Sequence, residues 1–258
     1  MKKYINIENK LIPIAFQLVI LLIWQIVIDK WKVPQYILPS PKDIIITLIT
    51  IVPNIINHIY ATLYEALIGF IISILFALIL AILMDNVKLI KKCIYPILVV
   101  SQTVPIIALA PLFIIWFGFG ILPKIIVVIL VCFFPIVVSL VDGLEIVDVD
   151  IINLLKTMGA SRLQIFTMVK LPASTANFFS GLRIAATYSI MGAVIGEWLG
   201  GDKGLGVYMI RAKNSYALDK VFAVIIIIVL LSMGLVGLLY LLQYYFTPWT
   251  RNSTDNKK

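Results

Sequence analysis

Charge is what this sequence is shortest of. Only 13% of its 258 residues are Asp, Glu, Lys or Arg, against about 25% in soluble globular domains. Hydrophobic residues make up 62%, and the mean hydropathy is +1.07. That leaves too little polar surface to cover a water-soluble body, which excludes a soluble enzyme, a disordered chain and a fibre. No long polar stretch is present from which to build a large extramembrane domain. Cysteine is equally scarce: Cys93 and Cys132 both lie in apolar runs, so neither a disulfide framework nor a CxxC metal pair is available. The lone His58 and the few acids offer no metal cluster and no nucleophile–base set, so no catalytic residue and no metal ligand is expected. There is no Gly-Lys dipeptide, hence no Gly-x4-Gly-Lys-[Ser/Thr] phosphate loop. The energy for any work must therefore come from a partner or an ion gradient. The formal charge of +8 forms no basic stripe. Its residues sit singly between apolar runs, as membrane-flanking charges rather than a nucleic-acid surface.

What the chain has is long apolar runs. A helix needs about 20 such residues to cross the hydrocarbon. Six segments meet that length: 11–28, 61–84, 93–117, 121–141, 176–199 and 221–245. They lack period-two alternation, so the expected fold class is all-α, a polytopic membrane protein of six transmembrane helices. The first run follows Met1-Lys2-Lys3 like a signal peptide, but it has no small-x-small cleavage site before Asp29, so a retained first span is expected. Six spans put both termini on one side. With that side cytoplasmic, twelve Lys and Arg fall in inner segments and eight in outer ones, which favours N-in and C-in.

Within the spans, three features stand out. The third holds Pro96, Pro105 and Pro111, each removing a helix hydrogen bond; it reads either as a broken helix lining a wet cavity or as a kinked packing helix. The fifth places Gly192, Gly196 and Gly200 at i, i+4 and i+8, a smooth stripe on which another helix can pack. Gln102 and Thr103 before the Val104-Pro105 break, with Tyr188 and Ser189 in mid-span, are candidates for a polar solute pathway; interhelical hydrogen bonds are the alternative for each. Arg183 and Glu197, 14 residues apart, lie near opposite ends of one helix and cannot pair.

The stretch 144–175 between spans four and five has its own grammar. Ile151, Leu154, Leu155 and Met158 share one helical face. Gly159 suits a left-handed C-cap. Ser161 and Gln164 form a capping box for a second helix, which is expected to run to Leu171-Pro172 and stop there. The pattern predicts helix, glycine corner, helix, with an apolar face that either docks into a partner or lies on the membrane surface.

Gly159, nine residues, Val169, any residue, Leu171-Pro172 resembles the EAA loop of ABC importer permeases, including Ala160, Ser161 and Phe166 within it. Asn153-Leu154-Leu155 stands where the pattern has Glu-Ala-Ala. Leu38-Pro39-Ser40-Pro41, Val104-Pro105, Ala110-Pro111-Leu112, Trp116-Phe117-Gly118, Gly181-Leu182-Arg183-Ile184-Ala185 and Glu197 extend the likeness to the nitrate, sulfonate, taurine and thiamine-precursor permease group over about residues 35–249. Glu197-Trp198-Leu199-Gly200 and Pro248-Trp249 look most like permeases for thiamine pyrimidine precursors. The resemblance implies a type I importer permease fold in the cell inner membrane. Residues 1–57 would hold a first helix and an outer connecting segment, 58–245 the five-helix ABC transmembrane domain, and 246–258 a cytoplasmic tail. It implies a homodimer in membrane lipid. A cytoplasmic ABC ATPase would bind the ATP and grip Leu154, Leu155, Met158, Gly159, Ala160, Ser161, Phe166, Leu171 and Pro172. An extracytoplasmic solute-binding protein would deliver solute by way of the outer end, where Glu197 would gate, contact that protein or sit solvated. The chain itself would use no cofactor and bind no nucleic acid. The rival reading is an ion-coupled secondary transporter, but paired broken helices in two repeats are not evident.

Overall fold

A computed structural model describes residues 2–248, with side chains from 11 to 248. The charges counted at Lys2, Lys3, Lys10, Arg251, Lys257 and Lys258, and Trp249 with most of the tail, lie outside the described side chains. Every regular element among the described residues is helical. α1 is Lys2–Trp31 and α2 is Pro41–Asn86. A bent pair follows, α3 Lys88–Ser101 and α4 Ile106–Phe117, then α5 Ile121–Glu145. The loop holds α6 Val149–Thr157 and α7 Arg162–Ile165, then a wide turn Phe166–Lys170 that opens into α8 Leu171–Leu199. α9 Leu205–Asn214 and α10 Leu218–Phe246 complete the order.

Three helices make the core. α5 lies between α2 and α8, parallel to α2 and antiparallel to α8, and Phe70, Ala77, Cys132, Ile136, Ala186 and Ile190 fill the space among them. Small residues set how closely the backbones approach. A Cβ on Gly192 would lie 2.6 Å from Val131, one on Gly196 2.9 Å from the Lys124 backbone, and one on Gly69 2.5 Å from Val128. Gly200 instead meets the Phe119 ring, beyond α4. α1 hardly joins this bundle. It touches α2 through Lys42 N–H donating to Gln25 Oε1 at 3.2 Å, and Trp24 faces Phe222 with ring centres 5.9 Å apart. Its exposed Leu, Ile and Val side chains suit lipid rather than water.

The structure departs from the expected spans in three places. Span two begins twenty residues early: Ser40 caps α2 by accepting from Asp43 N at 3.1 Å, and Pro41 occupies the first turn, where its missing N–H costs nothing. The 46 residues of α2 reach about 69 Å at 1.5 Å per residue, more than twice the hydrocarbon thickness, so the connecting segment 41–60 is helix.

The third span is broken. α3 and α4 meet at 102° across Gln102–Pro105. Pro105 has no N–H to extend a helix, and it turns Val104 away from helical backbone. The pair still runs the length of the bundle. Lys91 near its start pairs with Glu145 at the end of α5, and Phe119 just after it packs on Gly200 at the far end of α8. Counted as one interrupted span, it brings the candidate crossings among the described residues from five to six.

Pro172 does not end the loop's second helix. Leu171 N–H reaches back five residues to the Phe166 carbonyl. This widened turn absorbs the donor that Pro172 lacks, so residues 162–199 form one continuous rod.

Candidate functional site

The bundle has two chemically distinct ends. The loop end gathers the termini of α2, α3 and α5 with α6 and α7. α6 starts at Asp148, whose side chain accepts from Asp150 N at 2.9 Å. It ends in a Schellman arrangement: Ala160 N donates to Leu155 O at 3.0 Å, and Gly159 N to Lys156 O at 3.0 Å. Gly159 has φ +85°, the left-handed region open to a residue without Cβ. Ser161 then opens α7: Gln164 N donates to Ser161 Oγ at 3.3 Å, and Ser161 N to Gln164 Oε1 at 2.8 Å. Two caps within six residues thus hold a bend of fixed shape.

The bend carries an apolar surface that this chain leaves uncovered. Leu154 is 60% exposed, Met158 74% and Leu163 71%. Ala160 is half-buried and Ser161 exposed. Ile165 and Phe166, by contrast, turn inward, Phe166 onto the main core, and anchor the bend to the bundle. Leu155 and Pro172 are half-buried, and Leu171 is 42% exposed. A second anchor is ionic: Lys170 Nζ lies 2.6 Å from Asp85 at the end of α2.

The opposite end is built from buried charge. Glu65 on α2 and Lys124 on α5 pair at 2.7 Å, with side chains 4% and 7% exposed. Glu197 on α8 sits beside them and is 2% exposed. Its Oε1 accepts from Thr62 Oγ1 at 2.6 Å and its Oε2 from Gly206 N at 2.6 Å. Thr62 Oγ1 in turn accepts from Leu205 N at 2.8 Å. His58 Nδ1 accepts from Gly204 N at 3.0 Å, and the His58 ring stands edge-on to Tyr208. A carboxylate thus meets the first free N–H groups of α9, where helix dipole and donors both favour negative charge. Gly204 takes φ +132°, and a Cβ there would collide with the Glu197 carboxylate. The glycine loop 200–206 is in this way fastened to α2 and α8. The Tyr208 phenol, outside the spans, has its pKa raised by burial and by the nearby Asp219 charge.

Glu197 is therefore a buried hydrogen-bond acceptor, not a solvated boundary charge. Ser189 is buried and donates to Ala186 O at 2.8 Å, whereas Tyr188 on the same helix is exposed. Gln102 and Thr103 lie exposed at the bend between α3 and α4, apart from Glu197. Arg183 donates to Ser180 Oγ at 2.9 Å and to Gln243, and lies 4.7 Å over the Tyr240 ring, tying α8 to α10. Sequence reasoning missed Glu65, Thr62 and His58, and took Lys124 for a loop charge. The available signal was a Thr62/Glu65 pair at i, i+3 inside an apolar run. Among the described residues, no group of three His, Cys, Asp or Glu is placed to hold a metal ion.

An exposed apolar corner on a loop, joined by one rod to a buried charge cluster, suits a protein moved by a partner. Residues 69–252 match the family described as binding-protein-dependent transport system inner membrane component. The chain belongs to that family. This permease is 39% identical over 223 residues to a "Probable ABC transporter permease protein" of Haemophilus influenzae, covering 86% of this chain and 91% of that one. It is 37% identical over 240 residues to the formylaminopyrimidine transport permease protein ThiX of Halalkalibacterium halodurans, covering 93% and 96%. The riboflavin transport system permease protein RibX of Chloroflexus aurantiacus is 30% identical over 240 residues, covering 92% and 89%. Family and relatives are transport permeases, not enzymes, and the fold is a multi-pass ABC importer permease. Membership implies an ATPase and a solute-binding protein as partners, which displaces the reading of a self-sufficient secondary transporter.

Proposed function

We propose that this permease moves a small polar solute, best a thiamine pyrimidine precursor, across the cytoplasmic membrane by alternating access, with N- and C-termini inside. The observation that carries the mechanism is the unbroken helix 162–199. Its loop end presents the exposed corner 150–165, and its other end bears Glu197, which holds the glycine loop. An ATPase that grips Leu154, Met158 and the corner at Gly159 moves the rod. The rod shifts Glu197 relative to Thr62 and Gly206, and so moves the surface offered to the binding protein. ATP is bound by that partner. The working unit is a homodimer, in which the exposed Tyr188, Gln102 and Thr103 face the solute path. The solute assignment draws on the printed name of the ThiX relative and its 37% identity.

The test is reconstitution with a cognate ABC ATPase and solute-binding protein. Vesicles should accumulate labelled formylaminopyrimidine in preference to taurine or riboflavin, and only with ATP present. Gly159→Asp should insert normally but fail to retain the ATPase on an affinity column. Transport that persists without ATP or a second subunit would overturn the mechanism. Labelling of residues 150–165 by an impermeant reagent in intact cells would overturn the orientation.

A further inference from the structure

Around the loop end lies a cleft that neither caps nor core explain. One cavity there, of about 440 Å³, is bounded by Asp85, Asn86 and Lys88 at the α2–α3 junction and by Lys156, Arg162 and Lys170 of the loop. A second, of about 330 Å³, shares Asp85, Lys88, Lys156 and Lys170 and adds Lys91 and Glu145. The acids are already engaged: Asp85 pairs with Lys170, and Glu145 with Lys91. Lys88, Lys156 and Arg162 form no ion pair among the described residues, so the cleft holds three uncompensated positive charges.

Next to it, between α2, α5, the start of α8 and the end of α10, and reaching one turn deeper, lies a largely apolar cavity of about 410 Å³. It is lined by Leu78, Leu140, Leu171, Phe178, Phe179 and Phe246. Leu78 precedes Ala81 of the basic cleft by one turn, and Leu140 precedes Leu144 by one turn. Lys88 stands where α2 and α5 end, with Lys156 and Arg162 facing it from the loop, and the 25 residues of α5 suffice to cross the hydrocarbon once, which sets its end at headgroup depth. A charged cleft at that depth, over an apolar cavity on the same helices, has the form of an amphiphile with an anionic head. Basic pockets between helices on the inner side are the usual headgroup sites.

We propose that this cleft binds the phosphate headgroup of an anionic phospholipid, with an acyl chain in the cavity beneath. The bound lipid bridges Lys88 on the bundle to Lys156 and Arg162 on the loop, and so stiffens the joint on which the handle turns. The site is distinct from the exposed apolar corner, and its test needs no ATPase.

The permease is purified in neutral detergent, exchanged into nanodiscs of phosphatidylglycerol or phosphatidylcholine, and re-extracted for native mass spectrometry and thermal unfolding. The expected result is one retained phosphatidylglycerol per chain, with a higher midpoint than in phosphatidylcholine. The triple variant Lys88→Gln/Lys156→Gln/Arg162→Gln should lower retention at least tenfold and erase the difference in midpoint. The charge-matched control Lys42→Gln/Lys203→Gln/Lys220→Gln should leave both unchanged, and size-exclusion profiles check folding of each. Inorganic phosphate at millimolar concentration should not displace the lipid. Equal retention by the wild type and the triple variant, equal loss in the control, or full displacement by inorganic phosphate would each overturn the proposal.

Discussion

At the loop end, the residues aimed outward are apolar: Leu154, Met158 and Leu163 stand 60–74% exposed. At the opposite end, the residues aimed inward are charged: Glu65, Lys124 and Glu197 are only 2–6% exposed. Each arrangement inverts what an isolated membrane protein would choose. Exposed apolar surface outside lipid calls for a partner to cover it. Buried charge is costly to desolvate and is held only by close pairing. The loop end therefore stores binding capacity for another protein, and the opposite end stores resistance to disassembly. The rod 162–199 joins them, so displacement at the soft end is delivered to the stiff one.

The sharpest way to break that contrast is to strip one charge from the stiff end. Lys124→Leu leaves Glu65 buried without its partner, and Glu65 Oε2 already has none. The expected loss is about 3–5 kcal/mol, read as a fall in the detergent unfolding midpoint or failure to accumulate. Glu65→Met/Lys124→Leu removes both charges and should recover most of that loss. Equal losses in the single and double variants would mean that the pair acts through shape rather than charge.

Gly204→Ala attacks the same end through the backbone. The residue sits at φ +132°, and its new methyl would meet the Glu197 carboxylate. A strained position of this kind costs about 1–3 kcal/mol. The loop should lift from α8 before the bundle unfolds, detected as faster proteolysis at 200–206 with ATPase capture intact. Loss of ATPase capture at this distance would instead show the two ends to be one cooperative unit.

The ends also differ in how far they could be read from sequence. The corner is local. Gly159, Ser161 and Gln164 fall within six residues, and each acts on backbone a few positions away, so spacing alone predicts the bend. The buried network is not local. Lys124 lies 59 residues from Glu65, and Thr62 lies 135 from Glu197. Nothing in one sequence pairs them, and a lysine three residues into a span looks like any boundary charge. The early start of α2 was hidden by Asp43, Asn54 and His58, which lower the hydropathy of 41–60 without breaking its helix. Pro172 misled because spacing does not reveal a turn that closes over five residues instead of four.

The mildest test belongs to the corner itself. Ser161→Ala removes the hydroxyl that accepts from Gln164 N and frees one end of the capping box. Such a loss costs about 1 kcal/mol, whereas glycine at the same position costs only a few tenths. α6 is barely packed on the bundle, so the cost should stay in the loop and leave the global midpoint unmoved. Amide exchange at 161–165 should accelerate for alanine and much less for glycine. ATPase affinity should fall about fivefold for alanine, the fold-change that 1 kcal/mol corresponds to. If the corner is instead fixed by its anchors, Ile165 in the core and Lys170 on Asp85, exchange at 161–165 will be the same in both variants. The handle's shape would then be set by the bundle and not by its own caps.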